Sequence, residues 1–301
     1  MSNRRPFVWT ELQIDKLNKV RDTLEELKDY KPLTLRQVYY QLVGKGYIEN
    51  NVSQYGMLSK LLKFARIDGY ISWEDIEDRV RTYHDLTGWS SSGRFIRASL
   101  EEFLTDYQRD LLQSQGTYIE IWIEKDALAS IFTRVAQAYT VPVVVCRGFS
   151  SVSFLNDYKE RLSYYKSKQP VLLYFGDFDP SGVEMLKAME TTLQDELLVE
   201  GILFKRIALL REDIARYRLP HSPEALKRTD TRASKHIAEY GNLAVELDAL
   251  SPAVLEQKIR EAIEGEMDME ALNNERLKEE DDLEELRNLK EAVNEFIKDN
   301  R

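Results

Sequence analysis

The amino-acid sequence predicts a mixed α/β protein: an N-terminal helical module, then a parallel sheet flanked by helices, then a helical C-terminal extension. Three observations predict it. Between residues 118 and 209, short apolar runs alternate with amphipathic helical patterns, as a parallel sheet with helices on both faces requires. Before residue 70, apolar residues recur at helical spacing behind residues suited to capping. Beyond residue 251 the pattern is helical and rich in acids. The expected units are therefore 1–90, 91–116, 117–250 and 251–301.

The first predicted helix runs from Trp9 to Tyr30, with Leu12, Ile14, Leu17, Val20, Leu24 and Leu27 as its apolar positions, and Pro32 ends it. Thr34 is placed to cap a second helix, LRQVYYQLV, with Gln37 as its capping-box partner and Gly44 and Gly46 near its end. A third helix is expected from Tyr55 to Ile67, carrying Lys60, Lys63 and Arg66, and GYISWEDI then supplies a short β element. Three helices and a small wing outline a winged helix, which sets one helix in the major groove of DNA. The same spacing fits a plain helical bundle with a solvated basic face.

Residues 81–97 are polar and rich in Gly and Ser, and are expected to be a linker; Ser99 to Leu112 is expected to be helical. The α/β alternation follows, with strands at 118–123, 142–146, 170–176 and 202–209 and helices at 126–138, 152–166 and 181–198. Arg211 to Pro220 is a helix and its stop, and Leu243 to Ile263 is amphipathic. Leu283, Leu286, Leu289, Val293 and Phe296 form a stripe at coiled-coil spacing, expected to be a docking or dimer face.

At 301 residues, with 43% hydrophobic and 31% charged residues, the chain is long enough to bury a sizeable core. No apolar run approaches a membrane span and no signal-peptide pattern opens the sequence. A single cysteine, Cys146, excludes an internal disulfide and fits a reducing cytoplasm. The net charge of −10 argues against simple polyanion binding, but it is uneven. Residues 1–100 hold 16 Lys/Arg against 13 Asp/Glu, whereas residues 252–301 hold 8 against 16. The N-terminal third is thus free to meet nucleic acid.

The chemistry is signalled at two strand ends. VLLYFGDFDPSG (171–182) is a buried strand that stops at Asp177 and Asp179, two carboxylates at i and i+2 that leave the strand's end on the same side. They suit a hard divalent cation. YIEIWI (118–123) ends likewise at Glu124, Lys125 and Asp126. If these strands are parallel neighbours, Glu124, Asp177 and Asp179 meet at one sheet edge, where α/β proteins gather functional groups. Lys125 is expected to lower the pKa of Glu124. The histidines His84, His221 and His236 have no metal-ligand spacing.

In the second helix, Leu35, Val38, Tyr39, Leu42 and Val43 form the apolar stripe, so Tyr39 is expected in the core. Tyr40 lies off the stripe, four residues after Arg36. A guanidinium beside a phenol stabilises the phenolate and can also hold a phosphate, which suits a tyrosine that attacks a phosphodiester. The alternative is an amphipathic tyrosine packed at the stripe's edge.

Glu124 in IEKDA followed some fifty residues later by DFDPSG resembles the Toprim domain of topoisomerases, primases and some nucleases. LTLRQVYY resembles the R-[DE]-[IV]-[YF]-Y motif of the topoisomerase VI A subunit and its meiotic double-strand-break relative. The order also matches: winged helix with tyrosine, linker, Toprim. The resemblance covers residues 30–250 and is nearest to compact bacterial and mobile-element A-like proteins. It implies that Tyr40 is a DNA-cleaving nucleophile, with Arg36 its partner on the scissile phosphate. It implies that Glu124, Asp177 and Asp179 hold magnesium, Glu124 also serving proton transfer or metal bridging. It further implies a homodimer in which each tyrosine works with the partner's acids. Gly148 falls where the family has a glycine turn, with Arg147 beside it as a candidate phosphate contact. Gln37 stands where the family usually has an acid, and no ATP-binding sequence is present, so an ATPase B-type subunit would be separate. The competing expectations are a Toprim nuclease that hydrolyses DNA with metal-activated water, and a non-catalytic DNA-binding subunit. All three place the chain in the cytoplasm, at the nucleoid.

Overall fold

The capping signals of the N-terminal third are realised as hydrogen bonds. A computed structural model describes residues 7–77, 88–103, 106–148, 151–221 and 233–299. Helix α1, Glu11–Glu26, opens with a reciprocal capping box between Thr10 and Gln13. Helix α2, Leu35–Gly44, opens with the same box between Thr34 and Gln37, whose two bonds are 2.7 and 3.2 Å. Helix α3, Val52–Ile67, begins three residues before Tyr55 because the Asn51 side chain caps it, accepting from the Gln54 N–H at 2.9 Å. Strand β1, Leu33–Thr34, pairs in parallel with β2, Ile76–Glu77, the short β element expected from GYISWEDI. Residues 78–87, where any remaining wing and His84 fall, lie outside the described residues.

The expected linker contains a helix. Helix α4 spans Ser92–Glu102, and Ser91 caps it by accepting from the Arg94 N–H at 3.2 Å. The serines read as a linker are thus a helix start, and the helix expected to reach Leu112 ends at the Phe103 cap.

The sheet contains β3 (Thr117–Ile123), β4 (Val143–Val145), β5 (Gln169–Phe175) and β6 (Leu203–Ala208) in the order β4-β3-β5-β6, every pair parallel. Alternation along the strands serves two cores. Ile119, Ile121, Ile123, Val171, Leu173 and Phe175 face one side, covered by α5 (Ala129–Gln137) and α10 (Pro252–Glu264) and continuous with the N-terminal helices. Tyr118, Trp122, Leu172 and Tyr174 face the other, under α6 (Val152–Leu162) and α7 (Pro180–Thr191). On that second face Glu120 is fully buried, and Tyr118, Trp122 and Arg161 satisfy it at 2.6 to 3.0 Å.

Helices α8 (Arg211–Tyr217) and α9 (Ala233–Tyr240) follow β6. Leu243 to Ile263, expected as one amphipathic stretch, is divided: it runs extended through Val245 and makes a 3₁₀ turn, Leu247–Ala249, before α10 starts at Pro252. Ser251 caps α10 with Pro252 at its first position, and no helical turn can be continued back through that proline. Helix α11, Met269–Asp299, docks its start through buried Leu272 and through Glu275, which accepts from Arg109, Gln113 and Ser114. Farther along, Leu289 is exposed and Leu283, Leu286 and Val293 are half-buried, while Phe296 lies outside the described side chains. Among the described residues no helix is long and apolar enough to cross a membrane.

Replacing Thr34 with Ala removes the α2 cap and is expected to cost about 1 kcal/mol, read as a lower urea midpoint with an unchanged slope. An unchanged midpoint would show that α2 is held by packing alone.

Candidate active site at the carboxyl edge of the sheet

From β3 the chain moves outward to β4, then crosses back to β5 on the other side of β3. In parallel sheets a reversal of this kind is where functional groups gather, beyond the carboxyl ends of the strands, here β3 and β5. Glu124 and Asp177 lie there. Pairing of Ile123 with Phe175 sets the two chain ends level, and the Glu124 N–H donates to the Phe175 carbonyl at 3.0 Å. One Glu124 carboxylate oxygen then accepts from the Asp177 N–H at 2.9 Å. Asp179 caps α7, accepting from the Gly182 N–H at 2.7 Å and the Ser181 hydroxyl at 2.9 Å, with Pro180 at the first helical position. Gly182 is required here, because a Cβ would lie 2.3 Å from the Asp177 carbonyl oxygen. Arg206, on β6, ties the loop from below, donating to the carbonyls of Gly176, Asp177, Gly182 and Leu209 at 2.5 to 3.2 Å.

The acids are under electrostatic load. Burial pushes Asp177 up to about 7, and Glu124 adds to this, while Lys125 and the Leu247 N–H oppose it. Burial likewise raises Glu124; the Asp177 N–H partly offsets this and Asp179 adds to it. Lys125 was expected to lower Glu124, but its effect there is minor because its ammonium is committed elsewhere. It lies 3.0 Å from Asp177, 2.7 Å from Glu246 and 2.9 Å from Asp248. Burial disfavours the Lys125 ammonium, yet these three carboxylates outweigh it and hold its pKa above the ordinary range.

Glu246 and Asp248 were not singled out in the sequence. The segment that carries them is zipped onto the DFDPSG loop: Phe178 and Val245 exchange two backbone hydrogen bonds of 2.9 Å, and the Leu247 N–H donates to Asp177 Oδ1 at 2.8 Å. His221 and His236 brace that segment, meeting the carbonyls of Ala244 and Leu243 at 2.9 and 2.8 Å. The available signal was the acid-x-acid spacing of Glu246-Leu247-Asp248, which repeats that of Asp177-Phe178-Asp179.

The 3₁₀ turn packs on α2 and so brings the N-terminal module to this edge. Arg36 pairs with Glu246 at 3.0 Å and with Asp248 at 3.5 Å. Tyr39 is in the core, its hydroxyl shared among the carbonyls of Glu49 and Asn51 and the side chain of Asn50. Tyr40, expected off the apolar stripe, is 4% exposed because the 3₁₀ turn covers that face of α2. Glu246 is the acid that acts on Tyr40 most strongly. The stabilised phenolate is corrected here: burial and then Glu246 raise the Tyr40 pKa well above the ordinary phenol, outweighing Lys125 and Arg36. Arg36, Tyr40 and Glu246 line one cavity of about 130 Å³.

A larger cleft of about 560 Å³ separates α3 from the Asp126 turn, lined by Arg36, Lys63 and Arg66 among others. Lys60 is exposed on α3 but does not line it. The Arg66 guanidinium stacks on Trp73 at 4.5 Å and donates to the Trp73 carbonyl, so it is positioned rather than freely solvated. Arg147, with φ of 48° beside Gly148, is largely exposed and pairs with Asp126 at 3.0 Å.

The chain matches no protein-family model and no curated protein. Among the described residues no three acidic, histidine or cysteine side chains converge closely enough to hold a metal ion as they stand.

The raised Asp177 has a consequence for stability. Its folded pKa of about 7 exceeds the roughly 3.9 of an unfolded aspartate, so between those values the folded state binds the extra proton. Stability should therefore fall as pH rises through that window. Asp177→Asn should flatten the fall, measured by urea unfolding at several pH values; an identical profile would show that Asp177 is not the group responsible.

Proposed function

We propose that this chain cleaves DNA by transesterification, with Tyr40 as nucleophile, on a winged-helix plus Toprim scaffold like that of the topoisomerase VI A subunit. What carries the reading is one continuous arrangement: Tyr40 and Glu246 line the same cavity, Glu246 meets Arg36 and Lys125, Lys125 meets Asp177, and the Asp177 N–H meets Glu124. A candidate nucleophile, two cations suited to a phosphate and the acids of two strand ends thus share one site.

The donor set fits a magnesium ion in its chemistry. Glu124, Asp177 and Asp179 offer oxygen alone, and each uses one oxygen on a backbone N–H, leaving the other without a hydrogen bond among the described residues. Burial raises both Glu124 and Asp177, with a smaller contribution from a neighbouring carboxylate, Asp179 on Glu124 and Glu124 on Asp177, and a cation bound there would oppose both. Bound there, magnesium would neutralise charge on the phosphate and on the leaving oxygen.

In the step itself, Tyr40 Oη forms a bond to phosphorus and the bond from phosphorus to the 3′ oxygen breaks. The phenol loses its proton and the 3′ oxygen gains one. The product is a phosphotyrosine ester at the 5′ end, and reversal reseals the strand. Arg36 holds the phosphate; Lys63, Arg66 and Arg147 offer charge to the flanking backbone, and Lys60 offers it from outside the cleft. A double-strand break needs two tyrosines, hence a homodimer on double-stranded DNA. Strand passage would need a separate ATPase subunit.

One observation favours a second reading. Tyr40 is buried and strongly held as the neutral phenol, as a structural tyrosine would be. In that case the chain is a Toprim nuclease in which water, not Tyr40, attacks.

Incubation with supercoiled plasmid and magnesium, then denaturation with and without protease, separates the two. Transesterification yields DNA ends that carry protein until protease is added, and Tyr40→Phe should reduce cleavage by on the order of 10³-fold or more. Protein-free ends that persist in Tyr40→Phe would sink the tyrosine and leave the nuclease.

A further inference from the structure

Glu246 sits in a cationic seat. One of its oxygens is 3.0 Å from Arg36 Nη2 and 2.7 Å from Lys125 Nζ, and its other oxygen is 3.3 Å from the same Arg36 nitrogen. Tyr40 lines the same cavity beside it. A guanidinium and an ammonium around one anion, with a hydroxyl at the same cavity, are the donors that recognise a phosphate. The seat opens onto the cavity of about 130 Å³ that Arg36, Tyr40 and Glu246 line.

We propose that Glu246 is an internal stand-in for a backbone phosphate, holding Arg36, Lys125 and Tyr40 in an anion-binding arrangement until a phosphodiester displaces it. The proposal rests on the reading of Arg36 and Tyr40 as the phosphate-binding and cleaving pair, and adds Lys125 to the phosphate seat.

Three features make Glu246 the group that leaves. Its side chain is 15% exposed at the cavity, whereas that of Asp248 is fully buried. Its backbone is pinned on both sides, by the Val245 bridge and by the Leu247 bond to Asp177, so departure needs only side-chain rotation. Arg36 and Lys125 keep Asp248, at 3.5 and 2.9 Å, throughout the exchange. One monoanion replaces another, so no buried cation is left unpaired, which is the costly outcome in such networks. While seated, Glu246 disfavours the Tyr40 phenolate and keeps the seat closed to weaker anions.

The test uses inorganic phosphate as the probe, titrated calorimetrically into the full chain. Glu246→Gln keeps the shape of the side chain while removing the competing charge. It should bind phosphate about tenfold more tightly than the unaltered chain, or better. Arg36→Gln combined with Glu246→Gln should abolish the gain. Glu246→Ala should show the same gain as Glu246→Gln, which guards against a glutamine that still fills the seat. No gain in either single variant, or a gain that survives loss of Arg36, overturns the proposal. So does a Glu246→Gln chain that loses plasmid cleavage with phosphate affinity unchanged, since that would make Glu246 a base for Tyr40. A phosphate gain without any protein-linked DNA ends would support the seat and sink the tyrosine reading instead.

Discussion

The Lys125 ammonium lies between 2.7 and 3.0 Å from three carboxylates, Glu246, Asp248 and Asp177, that come from two segments seventy residues apart in sequence. The arrangement around the sheet edge depends on it. Asp177 ends the central strand, Glu246 and Asp248 belong to the strap laid across it, and through Glu246 the strap meets Arg36 and Tyr40 on the N-terminal module. Removing one partner of a buried ion network typically costs about 3–5 kcal/mol, because a charge is left without compensation. Lys125 thus joins two acid-bearing loops that would otherwise repel each other.

That repulsion is only partly relieved. Burial, with a lesser contribution from the neighbouring acid, raises both Glu124 and Asp177, so each holds its negative charge less readily than in water. Shifts of this kind cluster at sites of ligand binding and catalysis, and structural ion networks also produce them. Contrast Glu120 on the opposite face of the sheet: it is as deeply buried, but Tyr118, Trp122 and Arg161 satisfy it completely. One buried acid is built to stay as it is; the acids at the edge are held short of satisfaction.

The N-terminal module and the edge are one construction. The capping box that starts α2 aims Arg36 toward the strap, and the strap closes over Tyr40. Within a single chain, Tyr40 therefore reaches the acids of its own sheet edge, through Glu246 and Lys125.

The residue pattern alone determined the strand and helix alternation, the parallel sheet, the capping of α2 and the meeting of Glu124 with Asp177, because periodicity and caps are local and parallel neighbours bring their ends together. It named Asp177, Asp179, Tyr40 and Arg36. It misjudged α4, since a serine-rich stretch has the composition of a linker and the capping of a helix. Tertiary structure decided what surrounds those residues. Leu243 to Leu250 belongs to a stretch read as amphipathic, yet it runs extended through Val245 before its 3₁₀ turn, where Val245 pairs with Phe178 and His221 and His236 hold the carbonyls of Ala244 and Leu243. That pairing delivers Glu246 and Asp248, diverts Lys125 from Glu124 and covers Tyr40. The charge state of Tyr40 was beyond the reach of helical spacing: Arg36 four residues away favours the phenolate, but burial under a strap two hundred residues later outweighs it.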